Sequence, residues 1–133
     1  MFVPTLMKDG AIFVVPAFDA GVVLEAIQKH KINCMLLVPT MLYAMLDHPD
    51  FDKYDLSSLE VVFYGSASTA VARLQEGIRR IGPVFFQFYG QAEALMTVTV
   101  MRRAEHIVDD PIRLSSCGRP VPWVTVELLD NNG

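Results

Sequence analysis

The sequence predicts an α/β fold, a doubly wound and mainly parallel sheet with flanking helices. Three observations predict it. Short apolar runs rich in β-branched and aromatic residues recur at 32–38, 59–64 and 84–89, the composition of buried strands. Between them lie stretches of about ten to thirteen residues with apolar positions at helical spacing. Two of the runs end in glycine, at Gly65 and Gly90, on the edge where an open α/β sheet binds its ligands.

Taken in order, Met1 to Lys8 is apolar, holds Pro4 and runs into the turn Asp9-Gly10. It reads as the tail of a helix whose beginning is missing. Ala11 to Val15 is a short β-rich run closed by Pro16. Asp19 is placed to cap a helix to about His30, with Val23, Ala26, Ile27 and His30 on one face. After the strand Ile32 to Val38, Pro39-Thr40 opens a second helix whose apolar side is Met41, Leu42, Met45 and Leu46. His48-Pro49-Asp50 ends it. Asp55-Leu56-Ser57-Ser58 reads as a capped turn, and Leu59 to Tyr64 as a strand. A third helix, capped by Thr69, carries Val71, Leu74, Ile78 and Ile81 and stops at Gly82-Pro83.

The central strand, Val84 to Tyr89, breaks at Gly90 and delivers Gln91 and Glu93, with Glu93 at a helix start. Met96 to Met101 is extended, and a polar loop follows through Arg102-Arg103 and Asp109-Asp110-Pro111. Trp123 to Leu129 alternates as a final strand and ends in the turn Asp130-Asn131-Asn132-Gly133. With no helix before it, this strand belongs to another sheet. The expected division is therefore 1–112 as an α/β subdomain and 113–133 as the start of a second one.

Composition narrows the classes. The 133 residues are 52% apolar and 20% charged, enough for one domain with a real core and too apolar for a disordered chain. Net charge is −4, from 11 basic and 15 acidic residues without a basic block, which argues against a nucleic-acid or anionic-membrane surface. No apolar stretch approaches the roughly eighteen residues of a membrane span. The amino terminus lacks the basic region that opens a signal peptide, since Lys8 follows the apolar start. Cys34 and Cys117 have no Cys-x-x-Cys spacing and read as two buried thiols in a reducing cytoplasm.

The chemistry gathers at two loops. Gly65-Ser66-Ala67-Ser68 and Phe88-Tyr89-Gly90 both end a strand, and one helix separates them, the length of a right-handed crossover. If the strands are neighbours, small residues face an aromatic ring across a slot for a flat ligand such as a nucleobase. Glu93 lies just past that slot. A single carboxylate there suits magnesium, which is held by one or two carboxylates together with substrate phosphates. No Gly-x-Gly-x-x-Gly, no Gly-Lys-Ser/Thr and no nucleophile–His–acid arrangement is present, and the three histidines share no metal-ligand spacing.

Four ordered segments resemble the adenylate-forming superfamily of acyl- and aryl-CoA ligases, peptide-synthetase adenylation domains and beetle luciferases. They are Leu37-Val38-Pro39-Thr40, then Tyr54 to Leu59 followed by Gly65-Ser66-Ala67-Ser68, then Tyr89-Gly90-Gln91-Ala92-Glu93, and Cys117-Gly118-Arg119-Pro120-Val121-Pro122. The resemblance implies a two-step reaction. A carboxylate attacks the α-phosphate of ATP to give an acyl-adenylate and pyrophosphate, and coenzyme A then takes the acyl group. It further implies that Gly65, Ser66, Ala67 and Ser68 border the adenine and that Tyr89, with Phe88 before it, stacks on the base. Gly90, Gln91 and Ala92 would hold the AMP moiety, and Glu93 would bind Mg2+. Ala92 stands where the family usually has Thr, so a phosphate-binding hydroxyl is missing, and Ser68 replaces a Pro.

The family's phosphate loop, ribose-binding Asp and catalytic Lys do not occur in the chain, which is expected to be a fragment, inactive alone, with no catalytic residue of its own. In the family Trp123 to Leu129 would belong to a β-barrel subdomain, so an exposed strand edge and self-association are expected. The acid is expected to be fatty or otherwise hydrophobic, because the segments near the slot are apolar. The other reading left open is a non-catalytic interaction module derived from such a ligase, which Ala92 favours.

Overall fold

The computed structural model describes residues 2–130, the side chains of Phe2 and of residues 95–97 excepted. Its five strands follow one another in sequence across a single sheet. Strands β1 (Cys34–Leu37), β2 (Val61–Tyr64) and β3 (Phe85–Gln91) are parallel. They are followed by β4 (Ala94–Met101) and β5 (Arg119–Pro120), each antiparallel to its neighbour. The helices are α1 (Phe2–Leu6), α2 (Ala20–His30), α3 (Pro39–Leu46), α4 (Val71–Ile81) and the single turn α5 (Pro111–Leu114). This is the α/β architecture with flanking helices that the alternation of runs predicts.

The helices begin where the sequence supplies a reason. The Asp19 carboxylate accepts from the Val22 N–H at 2.9 Å, satisfying one of the four unpaired donors at the start of α2. Pro39 sits in the first turn of α3, where its missing N–H costs nothing. The face α2 buries is Leu24, Ala26 and Ile27. His30 is not on it, and stacks instead on Phe13 at 4.6 Å between ring centroids.

The core lies between these helices and one face of the sheet. Leu24 and Ile27 of α2, Leu42, Met45 and Leu46 of α3, and Leu74 and Ile78 of α4 pack with Leu37, Val62, Tyr64 and Phe85 of the strands. Burying each of the larger aliphatic side chains contributes about 1.5–3 kcal/mol. Register places Leu36, Phe63 and Phe86 side by side on the opposite face. There Phe63, Phe86 and Phe88 form a triangle of rings with centroids 4.9–5.5 Å apart, and Leu36 is 47% exposed.

Several expectations are corrected. Ala11 to Val15 forms no strand: Phe13 stacks on His30 of α2, and a short run without a ladder partner stays irregular. Trp123 to Leu129 likewise forms no strand: Trp123 lies in a turn, and the residues after it pair with no strand among the described residues, with Leu128 fully exposed. The last strand is instead β5, and it joins the same sheet through Thr99–Pro120 and Val100–Arg119. The part of the final turn at 131–133 lies outside the described residues. Thr69 does not cap α4, whose N-cap is Ala70; the Ala70 N–H donates to the Tyr43 hydroxyl at 2.7 Å instead. Gly90 does not break β3, which continues to Gln91 through an irregularity in register between Tyr89 and Gln91, a usual place for a strand glycine. No helix starts at Glu93: Ala92 and Glu93 form the two-residue turn of a hairpin into β4. Of the two thiols expected to be buried, Cys34 is only partly so and Cys117 is exposed.

Candidate functional site

Because β2 and β3 are parallel neighbours with Tyr64 beside Gln87, the segments that follow them leave from the same edge of the sheet. Gly65 is buried there, and a Cβ at that position would overlap the Phe88 carbonyl oxygen. Only glycine lets the two backbones approach so closely. Ser66 then takes a left-handed conformation, φ 69°, uncommon for a residue with a side chain, and turns the loop back over the end of β3.

The result is a cavity of about 280 Å³. Residues 66–69 form one wall and 87–90 the wall opposite, with Tyr64 between them. Tyr89 is 42% exposed, so its ring is open to a ligand. Gly65, Ser66, Ala67, Ser68, Phe88, Tyr89 and Gly90 are thus brought together. Gln91, Ala92 and Glu93 lie beyond the lining, exposed at the hairpin turn. Since no helix begins there, no helix N-terminus is available to replace the hydroxyl that Ala92 lacks.

Sequence reasoning missed a third wall, residues 114–117. The Thr99 hydroxyl donates to the Cys117 carbonyl at 2.5 Å, fixing this segment on β4. Gly118 follows at φ 89°, where a Cβ would strike the Val100 carbonyl. The motif around Gly118 is visible in the sequence, but nothing local says that its preceding turn folds back onto the end of β3.

Two features give the cavity chemical character. The Thr69 hydroxyl oxygen, on its wall, is buried without a hydrogen-bond partner among the described residues, which costs about 1–3 kcal/mol. Behind the cavity lies a buried polar chain with no local signal in the sequence. The Tyr64 hydroxyl stands 3.0 Å from Nε2 of His106 and 3.4 Å from the Gln87 side-chain amide. His106 Nδ1 lies 2.8 Å from the Arg102 carbonyl. Burial pushes the Tyr64 phenol well above its ordinary range and the His106 imidazole below its own, so both are neutral at neutral pH.

The small-residue wall and Tyr89 border one cavity, and the Thr69 hydroxyl on its lining has no partner among the described residues. For a metal the donor set is thinner. Among the described residues no three His, Cys, Asp or Glu side chains gather, and Glu93 is one exposed carboxylate. That suits only a metal that takes its remaining ligands from phosphates and water. A second cavity of about 320 Å³ is lined by Glu105, Asp110, Arg113 and Arg119. Its charges satisfy one another, with Arg113–Asp110 at 3.5 Å and Arg119–Glu105 at 3.3 Å, which leaves the smaller cavity as the better site. No helix of the described residues is long and apolar enough to cross a membrane.

Comparison with known proteins gives the family and the fold. The model of the family described as AMP-binding enzyme matches residues 1–133. The chain is 48% identical over 132 residues to a medium/long-chain-fatty-acid–CoA ligase of Mycobacterium tuberculosis, covering 99% of this chain and 23% of the relative. It is 35% identical to a feruloyl-CoA synthase of Amycolatopsis, covering 98% and 26%. Among solved structures, the amide bond synthetase McbA of Marinactinospora thermotolerans superposes with a TM-score of 0.83 at 34% identity, over 93% of this chain and 24% of that one. The anthranilate CoA ligase AuaEII, solved with anthranoyl-AMP, gives 0.79 at 25% identity, over 93% and 23%. The chain spans about a quarter of the length of the relatives it matches.

Proposed function

Because this chain belongs to the AMP-binding enzyme family, whose model it matches over residues 1–133, we propose that it is part of a longer AMP-forming acid–thiol ligase. In this reading residues 1–112 carry the nucleotide- and acyl-facing surface and 113–133 open a second, β-barrel subdomain. One observation carries the reading: the Gly65–Ser68 loop and the Tyr89–Gly90 strand end line the same cavity.

The adenine lies between residues 66–68 and the Tyr89 ring, which supplies a stacking face. The backbone from Gly90 through Ala92 holds the AMP moiety. Glu93, beside the phosphates, is the residue that would hold magnesium, which neutralises phosphate charge when bound. In the first step a carboxylate oxygen of the acid bonds to the α-phosphorus of ATP as the bond to pyrophosphate breaks. In the second, the thiol sulfur of coenzyme A bonds to the acyl carbon and AMP leaves. This chain contributes binding and orientation to both steps and no proton-transfer group, so the isolated 133 residues do not catalyse adenylation.

A fatty or other hydrophobic acid is the substrate class we favour. Its support is the open face of Phe63, Phe86 and Phe88, which reaches the cavity through Phe88, and the 48%-identical relative, a medium/long-chain-fatty-acid–CoA ligase. Self-association keeps a narrower basis than a strand edge: the exposed side chains of Trp123, Leu128 and Leu129.

The test is acid-dependent exchange of labelled pyrophosphate into ATP by the full-length protein, over fatty acids of increasing chain length and a set of aryl acids. Exchange that grows with chain length supports the reading. Exchange by the isolated chain would show that catalysis needs nothing outside it. No exchange with any acid favours the non-catalytic module, to which the missing hydroxyl at Ala92 already points.

A further inference from the structure

We propose that His106 is a positioning residue for the nucleotide cleft, acting through Tyr64 to decide which end of the Gln87 amide faces the ligand. The argument is an accounting of protons. The Arg102 carbonyl can only accept, so at 2.8 Å the His106 Nδ1 must donate to it. A neutral imidazole carries one proton, which leaves Nε2 as an acceptor. The group 3.0 Å from Nε2 is the Tyr64 hydroxyl, and its single proton is therefore committed to His106.

The amide of Gln87 lies at 3.4 Å on the other side of the same hydroxyl. With no proton left, the Tyr64 oxygen can only accept from it. As placed, Oε1 is the amide atom 3.4 Å from the Tyr64 hydroxyl; a half-turn of the amide exchanges it for the nitrogen, and the proton count requires that half-turn. The half-turn leaves the Gln87 carbonyl as the end available to the cavity, which Gln87 and Tyr64 both line. The cleft consequently presents an acceptor and prefers a ring that carries a hydrogen-bond donor, such as an exocyclic amine. His106 never touches the ligand; it is 5% exposed and works from behind the wall.

This inference rests on the nucleotide reading of the cleft. It is tested by binding of ATP and of purine riboside triphosphate, which lacks the exocyclic amine, to the full-length protein. Wild type should prefer ATP by roughly fivefold to tenfold, the range of one hydrogen bond. His106→Gln, which can still accept from Tyr64, should keep the preference. In His106→Phe the freed Tyr64 proton goes to the Gln87 carbonyl and the amide turns over. In Tyr64→Phe nothing fixes the amide. Both should bind the two nucleotides within about twofold of each other. Equal binding by wild type, or full preference retained in Tyr64→Phe, overturns the inference and leaves the nucleotide reading intact. No binding of either nucleotide by wild type overturns both.

Discussion

A Cβ on Gly65 would overlap the carbonyl oxygen of Phe88, so the loop after β2 and the end of β3 meet at a distance only glycine allows. This contact sets the width of the cleft. Gly65→Ala should push the two apart, lower stability by about 1–3 kcal/mol and weaken ATP binding beyond what the stability loss explains. Denaturant melts and nucleotide titrations on the same variant separate the two effects.

The loop is also held from outside. The Tyr43 hydroxyl accepts from the Ala70 N–H at 2.7 Å, doing for the start of α4 what a capping side chain does elsewhere. Tyr43→Phe should cost about 1 kcal/mol and raise KM for ATP more than it lowers kcat, since it loosens a wall without touching the reacting atoms.

Much of this was legible in the sequence. Helices α2, α3 and α4 announce themselves by apolar spacing, by Asp19 and Pro39 at their starts and by Gly82 at the end of α4. The opposition of Gly65 and Tyr89 follows from a single crossover between parallel strands. What the chain did not reveal is tertiary. Alternation at 123–129 says that a strand could form but not which edge would receive it, and among the described residues none does. The turn at Ala92-Glu93 reads as the start of a helix because a glycine precedes it, yet Gly90 marks an irregularity within β3. The third wall at 114–117 and the His106–Tyr64 pair join residues far apart in sequence. A lone histidine in a polar loop carries no sign of such a partner.

The same pair predicts a pH dependence. Burial holds the His106 pKa below its ordinary value of about 6.5, so the unfolded chain takes up a proton before the folded one does. The contribution of His106 to stability is therefore complete above pH 6.5 or so and is lost as pH falls through and below that value. The groups facing the ring are the Tyr64 hydroxyl, the Arg102 carbonyl and the neighbouring Glu105 carboxylate. Of these the Arg102 carbonyl, and to a lesser degree the Glu105 carboxylate, oppose the shift. Melts between pH 7.5 and 5 should show a decline that His106→Gln abolishes, and ATP preference should fall over the same range in wild type alone.

At the hairpin turn, Ala92→Thr supplies the hydroxyl that the family usually carries there. If it reaches a phosphate oxygen, nucleotide affinity should rise roughly tenfold, the scale of a hydrogen bond to a charged group. Glu93→Gln should act the other way, lowering adenylation and raising the magnesium concentration needed for half-maximal rate. An unchanged magnesium dependence removes Glu93 from the site.

The most direct measurement is a crystal structure of the full-length protein with AMP bound. Density for the base between Ser66–Ser68 and the Tyr89 ring, with its amine toward Gln87, is the expected result. A base bound elsewhere, with Tyr89 bare at saturating AMP, contradicts the assignment.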